Sequence, residues 1–198
     1  MQPTISRYAS TADLLSAIAA AAALQRARPR LIDAWRPVED LPAPELEAFG
    51  AELAAHLPAA DHPASALRIR LVWQCTLRTD PDTAAPAEHH FRLTARRILA
   101  ATGIAAEDDP AACRWALLRV GEHEVRLVAP LARPDGTVAD TGRDRSLALA
   151  VCHLAETRSA GLHGRSRAAL AGSTGQRPGL LPALPPATIA TARTGRRP

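Results

Sequence analysis

The segment LRIRLVWQCTLR at residues 67–78 is the part of the chain that decides the fold. Its larger apolar residues alternate along the sequence and would share one face: Ile69, Leu71, Trp73, Cys75 and Leu77. The opposite face would carry Arg68, Arg70, Val72, Gln74 and Thr76. A period of two predicts a β-strand with one face buried. The residues DPD at 80–82 favour a turn and end this strand.

Two more strands are predicted at 113–120 and 123–132, and they form an antiparallel hairpin. Apolar residues at helical spacing predict helices at 11–27, 44–57, 86–102 and 144–158. The order is therefore helix, helix, strand, helix, hairpin, helix. This order indicates an α+β fold in which helices cover one face of an antiparallel sheet. We expect Val125 and Leu127 to be buried in the same layer as Trp73.

Composition excludes several classes of protein. The chain has 198 residues, enough for one domain and a tail, and 47% are hydrophobic, although 44 of them are alanine. No apolar stretch has the length and character of a membrane span, so we predict a cytoplasmic protein. Three cysteines are too few for a disulfide framework or a zinc site. All 24 basic residues are arginine, which indicates a GC-rich coding bias and makes their total weak evidence of nucleic-acid binding.

Charge is distributed unevenly along the chain. Residues 1–156 contain 17 Arg and 20 acidic residues, a net charge of −3, whereas residues 157–198 contain seven Arg and no acid. From Gly161 onward the sequence is rich in Gly, Pro, Ser and Thr, a composition typical of disorder. We therefore predict a domain at 1–160 and a disordered basic tail at 161–198. The tail is either inert or an arm that contacts phosphates through arginine.

Residues that could carry chemistry do not form a recognisable site by spacing alone. Glu88, His89 and His90 lie on a predicted helix, where adjacent residues do not face each other, so a solvated surface is the simpler interpretation. His123 and Glu124 would lie on opposite faces of a strand. The sequence contains no glycine-rich phosphate loop, and no Ser–His–Asp arrangement can be argued from spacing.

Six segments, taken in order, carry a resemblance to a known family. They are MQPTISR (1–7), RPRLIDAW (28–35), LVWQCTLRTDPD (71–82), RRILAATGIA (96–105), CRWALLRV (113–120) and VAPLARPDGT (128–137). In this combination the chain resembles the actinobacterial relaxase and mobilisation nuclease family, whose members nick plasmid DNA for transfer. The resemblance spans nearly all of 1–158. The resemblance implies a relaxase-like fold. It also implies two kinds of partner: plasmid DNA, either single-stranded or duplex, and mobile-element proteins.

The family uses a tyrosine that attacks the scissile phosphate and a divalent metal held by three histidines. The resemblance places Val120, Glu124 and Arg126 at the three histidine positions, and Gln74 where some relatives are expected to carry histidine. The segment matching the family's tyrosine holds none, which leaves Tyr8 as the sole candidate nucleophile.

We therefore predict a relaxase-like domain that is catalytically inactive, binds no metal cofactor and retains at most DNA binding. The predicted DNA contacts on the sheet are Arg68, Arg70 and Arg126, and those in the tail are Arg165, Arg167, Arg177, Arg193, Arg196 and Arg197. One alternative is an active nickase that uses Mg²⁺ or Mn²⁺ with relocated site residues. Another is an interaction domain, or a decaying gene product, without affinity for DNA.

Overall fold

The computed structural model describes residues 1–10, 29–38, 43–57 and 71–173. Contacts divide the chain into two units, Met1–Ser159 and Ala160–Pro198. The elements in chain order are β1 (Gln2–Tyr8), β2 (Arg30–Ala34), α1 (Ala43–Leu53), β3 (Val72–Arg78), α2 (Glu88–Ala101), β4 (Ala116–Arg119), β5 (Glu124–Pro130) and α3 (Asp144–Ser173).

In the part of the chain that the structure describes, the strands form one five-stranded sheet in the order β1-β3-β5-β4-β2, and every neighbouring pair is antiparallel. This confirms the predicted α+β class and the β4–β5 hairpin. Cys75, at the middle of β3, pairs with Ile5 on one side and Leu127 on the other. The two outer strands, β1 and β2, were not predicted. Both are edge strands, and β2 is also short and irregular, with a register shift between Leu31 and Asp33.

The first face of the sheet carries the predicted core. Trp73, Cys75 and Leu77 are fully buried, and Val125 and Leu127 lie beside them. Helix α2 packs on this face through its buried residues, which are Phe91, Thr94, Ala95, Ile98 and Leu99. The alternation in the sequence thus identified the buried face of β3 correctly. Ile69 lies outside the described residues.

The second face was expected to be polar and open, and this expectation was wrong. Val72 is fully buried, and Gln74 and Thr76 are only 3% and 6% exposed. A second apolar cluster contains Val72 together with Phe49 and Leu53 of α1. The central strand is therefore buried on both faces, because α1 supplies apolar side chains that a reading of β3 alone does not show.

The ends of the helices also differ in part from the predictions. Gly103 ends α2 with a φ of +69°, as expected for a glycine after a helix, and Gly136 has a φ of +81° in the predicted turn. Helix α3 continues to Ser173, so residues 161–173 are helical where a disordered segment was expected. Alanine favours a helix there, and each internal glycine costs only about 1 kcal/mol.

Several predictions fall on residues that the structure does not describe. The predicted helix at 11–27, the first part of the predicted strand at 67–70, and the end of the tail at 174–198 all lie outside the described residues. Among the helices of the described part, none combines the length and apolar character that crossing a membrane requires.

Candidate functional site

The three positions that the resemblance assigns to metal ligands lie together in the structure. Arg126 pairs with Leu118 across the hairpin. The Val120 amide donates to the carbonyl of Glu124 at 3.1 Å, which extends the same register by one step. Side chains two residues apart on a strand share a face, so Glu124 and Arg126 both lie on the second face of the sheet. Val120 belongs to the apolar cluster of that face.

Glu124 and Arg126 form a buried ion pair rather than a metal site. Glu124 is 5% exposed, and its Oε1 accepts a hydrogen bond from Arg126 Nε at 3.1 Å. Its Oε2 accepts one from Arg78 Nε at 2.9 Å. Both carboxylate oxygens are therefore committed to guanidinium groups. Among the described contacts, two arginines face one carboxylate, and these three groups carry a net charge of +1, which repels a divalent cation.

The carboxylate of Glu124 remains charged in this setting. Burial raises the pKa of Glu124. The hydrogen bonds from Arg78 and Arg126, together with the positive charges of these groups, lower it by more, so that the pKa lies below its ordinary value. Within residues 1–10, 29–38, 48–57 and 71–158, no three His, Cys, Asp or Glu side chains are grouped to hold a metal ion.

Arg126 was also predicted to contact DNA. Its side chain is 9% exposed and donates to Glu124, so contact with a phosphate would require the buried pair to separate. The DNA-binding role of Arg126 stays a prediction. Arg68 and Arg70 lie outside the described residues, as do the four tail arginines beyond Ser173. Arg165 and Arg167 lie on α3.

Tyr8 does not lie near the Glu124–Arg126 pair. It is at the end of β1, opposite Val72, whereas Arg126 shares a cross-strand row with Thr76 and Thr4. Four residues along the strand correspond to about 13 Å, and two strand spacings add about 10 Å across the sheet. A tyrosine side chain does not span this separation. The structure therefore does not bring the candidate nucleophile to the positions matched with the metal ligands.

The histidines singled out from the sequence, His89, His90 and His123, make other contacts in the described part of the chain. Glu88 binds Arg30 and Arg92. His89 is exposed, and His90 is half-buried with a pKa lowered by burial and by the nearby charge of His89. His123 Nδ1 lies 3.1 Å from Thr79 Oγ1 at the open end of the hairpin. The interpretation of Glu88, His89 and His90 as a solvated helix surface fits these contacts.

Gln74 occupies a buried polar position on the second face. Its Nε2 donates to Thr76 Oγ1 at 3.1 Å, while its Oε1 is buried without a hydrogen-bond partner. A buried acceptor without a partner costs about 1–3 kcal/mol. Alternation alone would not reveal this, because it predicted an exposed position for Gln74.

A surface that the sequence did not predict follows the outer edge of β2. We call it the β2-edge surface, and its charged residues are Arg30, Asp33, Arg36, Glu52, Glu88, Arg92, Arg96 and Arg114. Its aromatic rings are those of Trp35, Phe49 and Trp115. The residues come from β2, α1, α2 and the segment before β4, and their contacts join them into one surface.

Arginines of the β2-edge surface stack on its rings. The guanidinium carbon of Arg36 lies 5.7 Å from the ring centroid of Trp35 and 5.6 Å from that of Phe49. Arg114 lies 5.5 Å from the centroid of Trp35, and Arg96 lies 5.3 Å from that of Trp115. Such stacking fixes the direction of a guanidinium group while leaving its edge available to an acceptor.

The surface combines positive charge with exposure. Its five arginines against three acidic residues give a net charge of +2, in a segment, 1–156, whose net charge is −3. The side chains of Arg30, Arg36, Arg92 and Arg96 are between 42% and 58% exposed. Arg96 also forms a two-point pair with Asp33, with both distances 2.8 Å. Sequence could not show this surface, because partners such as Asp33 and Arg96 are 63 residues apart.

Comparisons of the chain with protein-family models, with curated proteins and with solved structures found no match. The functional interpretation therefore depends on the residues of these two sites, namely the buried pair on the second face and the β2-edge surface.

Proposed function

We propose that this chain is a relaxase-like domain that binds DNA of a plasmid or mobile element and does not cleave it. The β2-edge surface is the observation that carries DNA binding. Exposed arginines held on aromatic rings offer donors to phosphates. Phe49 and Trp115 are themselves buried, so the arginines and not the rings would contact the nucleic acid. Contacts of this kind suit both single-stranded and duplex DNA.

The absence of cleavage is supported by the second face. A relaxase needs a metal to offset the charge of the scissile phosphate and a tyrosine placed in line with it. At the positions matched with the metal ligands, Arg126 and Arg78 already neutralise Glu124. Tyr8 lies far from this cluster along β1. Each missing component would cost several kcal/mol of transition-state stabilisation, which amounts to orders of magnitude in rate.

Electrostatic binding to phosphates has a measurable signature. Each phosphate contact on a single strand contributes about 0.7 to the slope of log K against log salt. Binding of a fluorescent single-stranded oligonucleotide to the full chain should therefore weaken steeply between low and physiological salt. The double variant Arg36→Gln/Arg92→Gln removes two exposed arginines whose ion pairs contribute little to stability. The double variant should reduce the slope of log K against log salt by about 1.4, the sum for two phosphate contacts. At 50 mM salt, each lost contact should weaken binding about 8-fold.

A matched control is available at two arginines, one directly before α3 and one on it. The double variant Arg143→Gln/Arg158→Gln removes the same net charge from two exposed positions away from β2. Under the proposal it leaves the salt slope nearly unchanged. Equal losses in the two double variants would show that only overall charge matters. No binding by the full chain at low salt would favour the alternative of an interaction domain without DNA affinity.

A further inference from the structure

Two clefts lie on either side of Arg7, at the edge of the sheet opposite to β2. The larger has a volume of about 640 Å³ and is lined by Ile5, Ser6, Arg7, Tyr8, Asp144 and Arg145. The smaller has a volume of about 290 Å³ and lies between Arg7, Leu71 and the residues 138–142. Neither cleft includes Glu124, Arg126 or the β2-edge surface.

The side chain of Arg7 is held in place by the residues around the start of α3. Its Nη2 donates to Asp144 Oδ2 at 2.8 Å and to Thr141 Oγ1 at 2.6 Å. Trp73 Nε1 donates to the same Asp144 oxygen at 2.9 Å. Among the described residues, Nε and Nη1 of Arg7 have no acceptor, and 31% of its side chain is exposed. Arg7 is thus a fixed cation with unused donors at the border of an open cleft.

Charge distinguishes the two clefts. In the larger cleft, Arg7 and Arg145 face one carboxylate, that of Asp144, which leaves a net charge of +1. In the smaller cleft, Arg7 is balanced by Asp140, so the net charge is zero. The Asp144 carboxylate is moreover occupied by Arg7 and Trp73, which reduces its repulsion of an incoming anion.

The edge of β1 supplies further donors to the larger cleft. In the described part of the chain β1 pairs only with β3. Alternate backbone N–H groups of an edge strand point away from its partner, so residues 5–8 direct about two of them outward. Cations and outward amides at one open cleft are groups that bind an oxyanion.

We propose that the larger cleft, which we call the Arg7 cleft, binds a phosphate group through Arg7 and Arg145. A phosphate accepts several hydrogen bonds at once and matches the planar fork of a guanidinium. The phosphate belongs either to a phosphomonoester, such as a 5′ end, or to a phosphodiester within a strand. This site is independent of the proposed DNA-binding surface, because it lies at the other edge of the sheet and requires only the phosphate group.

The test is an NMR titration of the isotopically labelled full chain with sodium phosphate, with sodium chloride at equal ionic strength as the reference. We expect saturable shifts for the backbone amides of residues 5–8 and for the Nε–H group of Arg7, with a dissociation constant of about 1–10 mM. The amides of residues 138–142 in the smaller cleft should move less. Arg145→Gln should weaken phosphate binding about 10-fold, as expected for the loss of one charge-assisted contact.

Arg143→Gln is the matched control, because Arg143 is an exposed arginine two residues earlier that does not line the cleft. It should leave phosphate binding within about twofold of the original chain, since an exposed charge that makes no contact with the phosphate acts only through water and is weakened by salt. Equal weakening by Arg143→Gln and Arg145→Gln would overturn the proposal, as would the absence of saturable shifts at residues 5–8.

A second titration distinguishes the sources of the phosphate. Thymidine dinucleotide with a 5′-phosphate is compared with the same dinucleotide lacking it. Shifts at residues 5–8 with only the phosphorylated form assign the Arg7 cleft to a phosphomonoester. Equal shifts with both forms assign it to a phosphodiester. Loss of oligonucleotide binding at the β2-edge surface with intact shifts at residues 5–8 would refute DNA binding there without affecting the Arg7 cleft.

Discussion

Replacement of Glu124 by Gln should destabilise the protein strongly, because it removes the charge of the carboxylate that pairs with the buried Arg126. Arg126 has 9% of its side chain exposed and donates to Glu124 at 3.1 Å. Removing one partner of a buried ion pair costs about 3–5 kcal/mol. We expect the lower end of this range, since glutamine retains one carbonyl acceptor for Arg126. For a unit of this size, about 3 kcal/mol lowers Tm by about 6–12 °C.

Arg78 provides the matched comparison. It contacts the same carboxylate, with an Nε–Oε2 distance of 2.9 Å, but 61% of its side chain is exposed. Water therefore replaces its interaction at little cost, and Arg78→Gln should lower stability by less than about 1 kcal/mol. The double variant Glu124→Leu/Arg126→Met removes both buried charges and should recover most of the stability lost in Glu124→Gln.

The assay is thermal unfolding of each full-length variant as a function of pH. Because the pKa of Glu124 is lowered in the folded state, its stabilising contribution is fully present above the unfolded-state pKa of about 4.3. It is lost as the pH falls through the lower, folded-state pKa. The Tm difference between the original chain and Glu124→Gln should thus be constant between about pH 5 and 8 and shrink below about pH 4. A Tm for Glu124→Gln within 2 °C of the original at pH 7 would refute this account of the pair.

Two further predictions concern the cysteines and catalysis. Burial raises the pKa of both Cys113 and Cys152 to about 11. At pH 8 neither thiol should therefore react with iodoacetamide unless a denaturant is added, as measured by intact mass. Alkylation of these cysteines in the folded chain within minutes would contradict this. Mg²⁺ or Mn²⁺ at micromolar concentration should not raise Tm, because Glu124 is neutralised by Arg78 and Arg126. With either metal and oligonucleotides from the cognate element, we also expect no covalent protein–DNA adduct on a denaturing gel. An adduct that disappears in Tyr8→Phe would show instead an active nickase with a relocated site.

The sequence predicted the elements whose signal is local and periodic. Along β3, larger apolar residues alternate with other residues from Val72 to Arg78. The β4–β5 hairpin later in the chain has the length of two strands and a turn, so both features were predicted. β1 and β2 were missed because an edge strand buries little. β1 has no fully buried residue, and β2 has only five residues and a register shift.

The sites could be predicted only where a resemblance gave positions. Val120, Glu124 and Arg126 were identified in this way, and their proximity follows from the hairpin register. The β2-edge surface and the Arg7 cleft depend on partners that are distant in sequence. Arg7 and Asp144, for example, are separated by 137 residues. Neither residue carries a local pattern that marks it, so contacts of this kind appear only once the strand order is known.

The energetic cost of rearrangement explains why DNA should meet the edge of the sheet rather than its second face. An exposed ion pair such as Arg36–Glu52 contributes about 0–1 kcal/mol, so its arginine can exchange a carboxylate for a phosphate at little cost. Arg126 would first have to leave Glu124, at a cost of about 3–5 kcal/mol, and Glu124 would then repel the phosphate. A phosphate contact through an ionised group is worth about 1.5–3 kcal/mol, which does not offset that cost. Arginines of the β2-edge surface should therefore determine affinity, and Arg126→Gln should reduce folding stability more than it reduces DNA binding by the remaining folded protein.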